Sequence, residues 1–329
     1  MNRLLNMLRA AGDATRLRLL LLLRESELTV SELTQILGQS QPRISRHLKL
    51  LCESGLIERF KEGAWVFYRA AEGEAASRLS EVFASICDSD DPSLADDKRR
   101  LAGIRAARAE AAAAYFRANA PQWERIRSLH VPEQEVESAI VRLLEKERLD
   151  SVLDAGTGTG RMMELLAPYI RRGVGIDVSP EMLAIARERL TKAGAAHCQV
   201  RRGDVYHLPF AAATQRQGFD AVIFHQVLHF LDDPQAALRE AIRATKPQGR
   251  ILIVDFAPHT LEFLREEHAH RRLGFSDREV QGWFAAAGLK PLAAETLAPR
   301  SGKEALTVML WLAVREGAVE NRVSEGAAA

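Results

Sequence analysis

Ser151-Val152-Leu153-Asp154-Ala155-Gly156-Thr157-Gly158-Thr159-Gly160 decides the fold of the C-terminal half. It reads as a short apolar strand that runs into three alternating glycines, after which Arg161 to Ile170 reads as a helix. Glycines at a strand-to-helix turn admit backbone conformations closed to other residues and let a nucleotide approach main-chain amides. The spacing selects among nucleotides. Counting from Gly156, the sixth position is Arg161, so the pattern is D-x-G-x-G-x-G and not the G-x-G-x-x-G of a dinucleotide fold. No Gly-Lys-Ser/Thr follows, which excludes a P-loop.

Working outward, the next strand, Gly173 to Asp177, ends in an acid 23 residues after Asp154, suited to accept two ribose hydroxyls. Ser179-Pro180-Glu181 caps the helix that follows. A third strand, Cys198 to Gly203, leads to Asp204-Val205, where a carboxylate and a backbone amide can read an adenine edge. A fourth, Phe219 to Phe224, leads to His225-Gln226-Val227-Leu228-His229, and Pro247-Gln248-Gly249-Arg250 precedes a fifth. All four tips lie at carboxyl ends of strands, where open α/β sheets bind ligands.

These motifs resemble the class I S-adenosylmethionine-dependent methyltransferases, especially the small-molecule branch that contains the quinone C-methyltransferases, over about residues 145 to 316. The resemblance implies a Rossmann-like sheet of seven strands, mostly parallel, with an antiparallel hairpin from about Pro291 to Leu297 and Leu306 to Arg315. It implies S-adenosyl-L-methionine as cofactor and S-adenosyl-L-homocysteine as product. Asp154 and the backbone of Gly156, Thr157, Gly158 and Gly160 would hold the methionine end, Asp177 the ribose and Asp204 the adenine, with Val178, Val205 and His225 also among the cofactor-binding residues. Gln248 stands where the family has glycine, a departure expected to be harmless.

Methyl transfer is an in-line displacement from a sulfonium, so the protein mainly aligns the acceptor and excludes water. His225 is the candidate to contact the methionine portion, position a substrate or accept a proton, with His229 next on the same face if a helix begins there. The competing reading for both is a hydrogen-bonded structural histidine. His259, His268 and His270, with Glu262, are candidates for a substrate mouth; no metal is expected, because His268 and His270 diverge on a helix. Tyr115, Phe116 and Trp123 read either as a lid over the cofactor or as residues that dock a connecting helix.

The N-terminal quarter has a different grammar. A leucine-rich helix, Thr15 to Arg24, precedes the capping box Thr29-Val30-Ser31-Glu32, whose helix stops at Gly38. After Gln39-Ser40-Gln41-Pro42 a second helix runs to Glu53 with Ile44, Leu48 and Leu51 on one stripe. Its other side carries Arg43, Ser45, Arg46, His47 and Lys49, and no acid occurs between residues 41 and 49. Helix, tight turn and basic second helix are helix-turn-helix geometry. Leu56 to Phe60 and Trp65 to Arg69 alternate across Lys61-Glu62-Gly63, a β-hairpin wing with Lys61 expected at its tip, within reach of a phosphate.

Gly12-Asp13-Ala14-Thr15-Arg16-Leu17, Pro42 to Leu51, Ser54-Gly55-Leu56-Ile57 and Trp65-Val66-Phe67-Tyr68 together resemble the ArsR-type winged helix-turn-helix repressors, over about residues 3 to 70. The resemblance implies a homodimer on a double-stranded DNA operator, with Gln41, Arg43, Ser45, Arg46, His47, Lys49 and Lys61 as the contacting residues. Val30 to Leu37 lacks the paired cysteines of metal-sensing relatives, so metal or arsenite sensing is disfavoured.

With 329 residues, the chain accommodates a winged-helix domain at 1–87, a helical linker and lid at 88–145, a methyltransferase domain at 146–316 and a loose tail at 317–329. Lys and Arg number 45 against 44 Asp and Glu, so any nucleic-acid surface is local. Three scattered cysteines fit a reducing cytoplasm, and the sequence contains neither a membrane-length apolar run nor the apolar core of a signal peptide. Two functions fit: a transcriptional regulator whose methyltransferase domain methylates a small molecule or senses the cofactor pair, or a small-molecule methyltransferase whose winged helix serves dimerisation or autoregulation. Arsenical methylation would need converging thiolates, and Cys52, Cys87 and Cys198 lie in separate segments.

Overall fold

Leucines set the core of the N-terminal unit. The structure, a computed structural model, describes residues 1–62, 64–71, 73–87, 91–123, 133–145, 149–215, 217–298 and 306–316. The first residues of the expected linker, 88–90, its stretch 124–132 and the expected tail from 317 lie outside the described residues. The chain opens with α1 (Asn2–Ala11), α2 (Ala14–Glu25), the two-residue β1 (Leu28–Thr29) and α3 (Val30–Leu37). It continues through α4 (Gln41–Ser54), β2 (Ile57–Glu62), β3 (Trp65–Ala70), α5 (Glu74–Ile86) and the long α6 (Pro92–Asn119). Leu19, Leu20, Leu22 and Leu23 of α2 are buried on almost every side, against Leu33, Ile36, Ile44, Leu48 and Leu51.

Local chemistry fixes the helix starts. Asp13 accepts the Arg16 amide at 3.0 Å to cap α2, and Thr29 and Glu32 form the reciprocal capping box of α3. The small sheet has order β1-β3-β2 and is antiparallel. Lys61 pairs with Val66 and Glu62 with Trp65, so Lys61 lies in the ladder and not at the tip where the alternating pattern places it.

The helical linker expected from residue 88 contains the long α6, which starts at Pro92. Its first half belongs to the N-terminal core: Leu101 is buried there, and Asp97, 2% exposed, accepts two bonds of 2.6 Å from Arg18. The compact N-terminal unit accordingly runs Met1–Tyr115, past the boundary expected at 87, and takes in Phe230–Asp233 and Thr260–Leu273.

The second unit comprises Phe116–His229, Pro234–His259 and Gly274–Ala329. Its described elements are α7 (Glu133–Glu145), β4 (Ser151–Ala155), α8 (Arg161–Leu166), β5 (Arg172–Asp177), α9 (Pro180–Lys192), β6 (Cys198–Arg202), β7 (Phe219–His225), α10 (Pro234–Ala244) and β8 (Thr245–Phe256). After α11 (Phe263–Glu267), which lies in the first unit, come α12 (Asp277–Ala286), β9 (Leu289–Leu297) and β10 (Val308–Arg315). The seven strands are ordered β6-β5-β4-β7-β8-β10-β9, with β10 antiparallel to both neighbours and the rest parallel. The expected mostly parallel sheet with its terminal hairpin is therefore present. The helix expected from Arg161 to Ile170 stops at Leu166 and passes into a 3-10 turn containing Pro168, which lacks a donor.

Val152, Leu153, Val222, Ile223, Leu252, Ile253 and Trp311 are fully buried, the continuous apolar pattern of a sheet covered on both faces. Chain order reverses between β4 and β7, which opens a crevice at their carboxyl ends. Among the described residues, no helix is long and apolar enough to cross a membrane.

Candidate functional site

The glycine loop sits at that reversal. Gly156 and Thr157 donate their amides to the Ile176 carbonyl at 2.9 and 2.8 Å, which ties the loop to β5. Gly156 adopts φ +84°, and a Cβ there would lie 2.4 Å from Cγ2 of Val227; Gly160, at φ +79°, would meet Ala186 at 2.9 Å. These two positions need glycine for both backbone and space. Gly158 is different: the nearest atom to a Cβ there is Trp123 Nε1, at 3.7 Å. Asp154 is 1% exposed, between Gly175 and Ile223 in the sheet register.

Asp177 terminates β5. Its Oδ2 accepts the Gly158 amide and its Oδ1 the Ser179 amide, each at 2.9 Å. Burial pushes this carboxyl above the usual carboxylate value, against the lowering pull of the Ser179, Gly158 and Val178 amides. Each oxygen keeps lone-pair capacity for a further donor. Val178 beside it is 50% exposed, an apolar surface at the strand tip. The Thr157 hydroxyl is buried and has no hydrogen-bond partner among the described residues. Asp204 is exposed and accepts the Tyr206 amide at 2.9 Å, while Val205 is buried. A buried hydroxyl, an open glycine and an acid already ordered by two amides fit a nucleoside with a polar tail.

The two candidate histidines have different surroundings. His225, at the end of β7, is half-buried, and the next residue, Gln226, takes φ +52°. His229 is 2% exposed in the 3-10 turn Leu228–Phe230, not on a helix, and shares a 2.7 Å hydrogen bond with Asp255 through Nδ1. Asp255, fully buried on β8, also accepts the Leu228 and His229 amides at 3.0 and 3.3 Å. The pair fixes the turn that carries Val227 against Gly156. Sequence spacing could not show this partner, which lies 26 residues away on the adjacent strand.

The other histidines disperse. His259 packs on Phe256, His268 on Tyr115 and Phe263, and His270 on Phe230. Among the described residues, no three His, Cys, Asp or Glu side chains form a group able to hold a metal. Of the three aromatics before the sheet, Trp123 lies at the glycine loop with Phe116 edge-on to it at 5.4 Å. Tyr115 instead shares a 2.7 Å bond with His268 Nδ1, and burial pushes its phenol up to about 12.

On α4, Gln41, Arg43, Ser45, Arg46 and Lys49 are all exposed, while Ile44, Leu48 and Leu51 are buried. His47 turns inward, with Nδ1 3.7 Å from Asp13, and burial lowers its pKa against the opposing pull of that carboxylate. Asp13 thus caps α2 and meets the second helix at once. Lys61 is exposed on β2.

Comparison with known proteins agrees with both halves. Residues 13–59 match the family described as bacterial regulatory protein, arsR family, and residues 153–253 match the methyltransferase domain family. The arsenic resistance transcriptional regulator ArsR1 of Pseudomonas putida is 41% identical over 92 residues, 28% of this chain and 71% of that protein. An uncharacterised methyltransferase of Schizosaccharomyces pombe is 38% identical over 113 residues, 32% of this chain and 39% of that protein. The chain thus spans about two fifths of that methyltransferase. Among solved structures, a chain from the complex between the Haloferax volcanii Trm112 methyltransferase activator and a methyltransferase aligns with a TM-score of 0.50 at 22% identity. That alignment covers 61% of this chain and 98% of the other, and it shows the sheet fold alone. The chain belongs to the arsR family of bacterial regulatory proteins through its N-terminal winged helix, and it carries a methyltransferase domain behind it.

Proposed function

We propose that this protein is a DNA-binding transcriptional regulator whose C-terminal half binds S-adenosyl-L-methionine, transferring its methyl group to a small molecule or reporting the cofactor's state to the DNA reader. The observation that carries this reading is the ordered junction of the glycine loop with Asp177, through the Gly158 amide, in a chain whose α4 shows only neutral and basic side chains outward through Lys49. Asp154 and the backbone of the glycine loop would hold the methionine end, Asp177 the ribose and Asp204 the adenine, with Val178 and Val205 beside them. When bound, the cofactor supplies an electrophilic methyl group on a sulfonium. The protein's own task is then to orient the acceptor and keep water away.

His225 is the residue on the β7 tip suited to face an acceptor or take its proton. His229 is better read as a positioning residue, because Asp255 holds its ring inside the protein. Gln41, Arg43, Ser45, Arg46, Lys49 and Lys61 would meet DNA, with His47 behind them. Dimerisation is supported by apolar side chains left outside at helical spacing, Leu4 and Leu8 on α1 and Val82 and Ile86 on α5. A cytoplasmic setting accords with a DNA reader.

The test is a calorimetric titration with S-adenosylmethionine and S-adenosylhomocysteine, paired with operator affinity at fixed salt with and without each. Binding of neither nucleotide at millimolar concentration would remove the cofactor reading. Binding without any change in DNA affinity would remove the sensor and leave the enzyme, since a ligand shifts an equilibrium only through differential affinity.

A further inference from the structure

The wing does not stand free. Phe60, Phe67 and Trp65 stack along it, with ring centroids 5.7 Å (Phe60 to Phe67) and 6.5 Å (Trp65 to Phe67) apart. Three guanidinium groups from Thr260–Leu273 lie over these rings. Arg265 is 5.8 Å from Trp65 and 5.6 Å from Phe67, Arg271 is 5.9 Å from Phe67, and Arg272 is 5.8 Å from Phe60. At the turn of the hairpin the Ala64 amide donates to Oε1 of Glu262 at 2.6 Å, and Glu262 in turn lies 3.7 Å from Arg265 Nε. Ion pairs anchor the same stretch, Arg272 to Glu27 and Arg271 to Asp232, and Arg108 in turn joins Asp232 to Glu32.

We propose that Thr260–Leu273 is an internal competitor for DNA at the wing, with the Glu262 carboxylate standing where a backbone phosphate would accept from the wing-turn amide. The inference rests on reading α4 and the wing as a DNA reader. A carboxylate and a phosphate are both anionic acceptors for a main-chain N–H, so one amide serves either in turn. While Glu262 is in place its charge also repels a phosphate approaching the tip. Arg265, Arg271 and Arg272 meanwhile face aromatic rings and acids of this unit, which turns them away from DNA. Full wing engagement then requires Glu262 to leave, and release of the stretch raises DNA affinity.

The experiment uses the full-length protein and a fluorescent duplex from the DNA directly upstream of its own coding sequence, at fixed salt. Glu262→Gln is expected to bind roughly fivefold tighter or more, the lower end of typical coupling between sites. Arg265→Gln is expected to bind tighter as well, although losing a positive charge alone would weaken binding. Glu267→Gln, at an exposed position on the same short helix as Arg265, serves as the charge control and is expected to match wild type. Equal affinity of wild type, Glu262→Gln and Arg265→Gln overturns the proposal, as does an equal gain from Glu267→Gln. Should Arg43→Ala with Arg46→Ala bind as well as wild type, the DNA-reader reading itself fails, a separate result from loss of the competitor.

Discussion

Where the glycine loop meets Asp177, the proposed cofactor site is built of main-chain geometry: left-handed glycines, amides aimed at a carboxylate, a hydroxyl enclosed without a partner among the described residues. Along α4 the proposed DNA-reading surface is built of exposed side chains above a stripe of buried Ile44, Leu48 and Leu51. The difference teaches where each region tolerates change. A site made of backbone cannot be altered without straining the fold, whereas a surface of exposed side chains can be rewritten while its scaffold stays intact.

The sharpest way to break this contrast is at Gly156. Gly156→Ala combines a φ of +84° with a 2.4 Å approach to Val227 and is expected to cost about 2–5 kcal/mol in denaturant unfolding, with loss of cofactor binding. Gly158→Ala, next to nothing closer than 3.7 Å, is expected to lose only about 1–2 kcal/mol. Equal losses would deny that space matters at Gly156.

Inside the N-terminal unit the tolerance ends. Asp97→Ala strands the Arg18 guanidinium and is expected to cost about 3 kcal/mol, measured by the unfolding midpoint. On the surface, Arg43→Ala and Arg46→Ala are each expected to weaken specific DNA binding by about 1–3 kcal/mol while moving stability by less than about 0.5 kcal/mol. A stability loss as large as that of Asp97→Ala would erase the contrast.

Asp177 tests the contrast through pH. A carboxyl raised on folding holds more protons in the folded chain than in the unfolded one between its two pKa values. Stability therefore falls as pH climbs from the unfolded value through the folded one, and it stays lower at neutral pH. Asp177→Asn is expected to remove that decline in denaturant curves across the acidic range while reducing cofactor affinity in calorimetry. The smallest effect is expected at Gln248, where φ +65° makes the departure from glycine a strained one and not the harmless change its sequence context suggests. Gln248→Gly is expected to gain up to about 1 kcal/mol.

Local chemistry is legible in the sequence, and long-range partnership is not. The capping box at Thr29 and Glu32, the D-x-G-x-G-x-G turn and the apolar stripe of α4 depend on neighbours within a few positions, and each is present as expected. Lys61 and Glu62 belong to a strand and not to a turn, and the pattern misleads because a polar pair at the end of a strand looks the same as a turn. His229 hides its role because Asp255 arrives from the adjacent strand. Nothing in the composition of Thr260–Leu273 signals that its arginines meet aromatic rings about two hundred positions earlier in the chain.

The N-terminal unit is discontinuous in sequence, and that sets an order of events during translation. Tyr115 leaves the ribosome long before Leu273, the last residue the unit uses, with about 160 residues to be added in between. At ordinary elongation rates that interval lasts roughly 8–30 s. During it the nascent winged helix exists without the arginines that cover its wing, so the aromatic face must either wait exposed or be shielded by a chaperone until Thr260–Leu273 has been made.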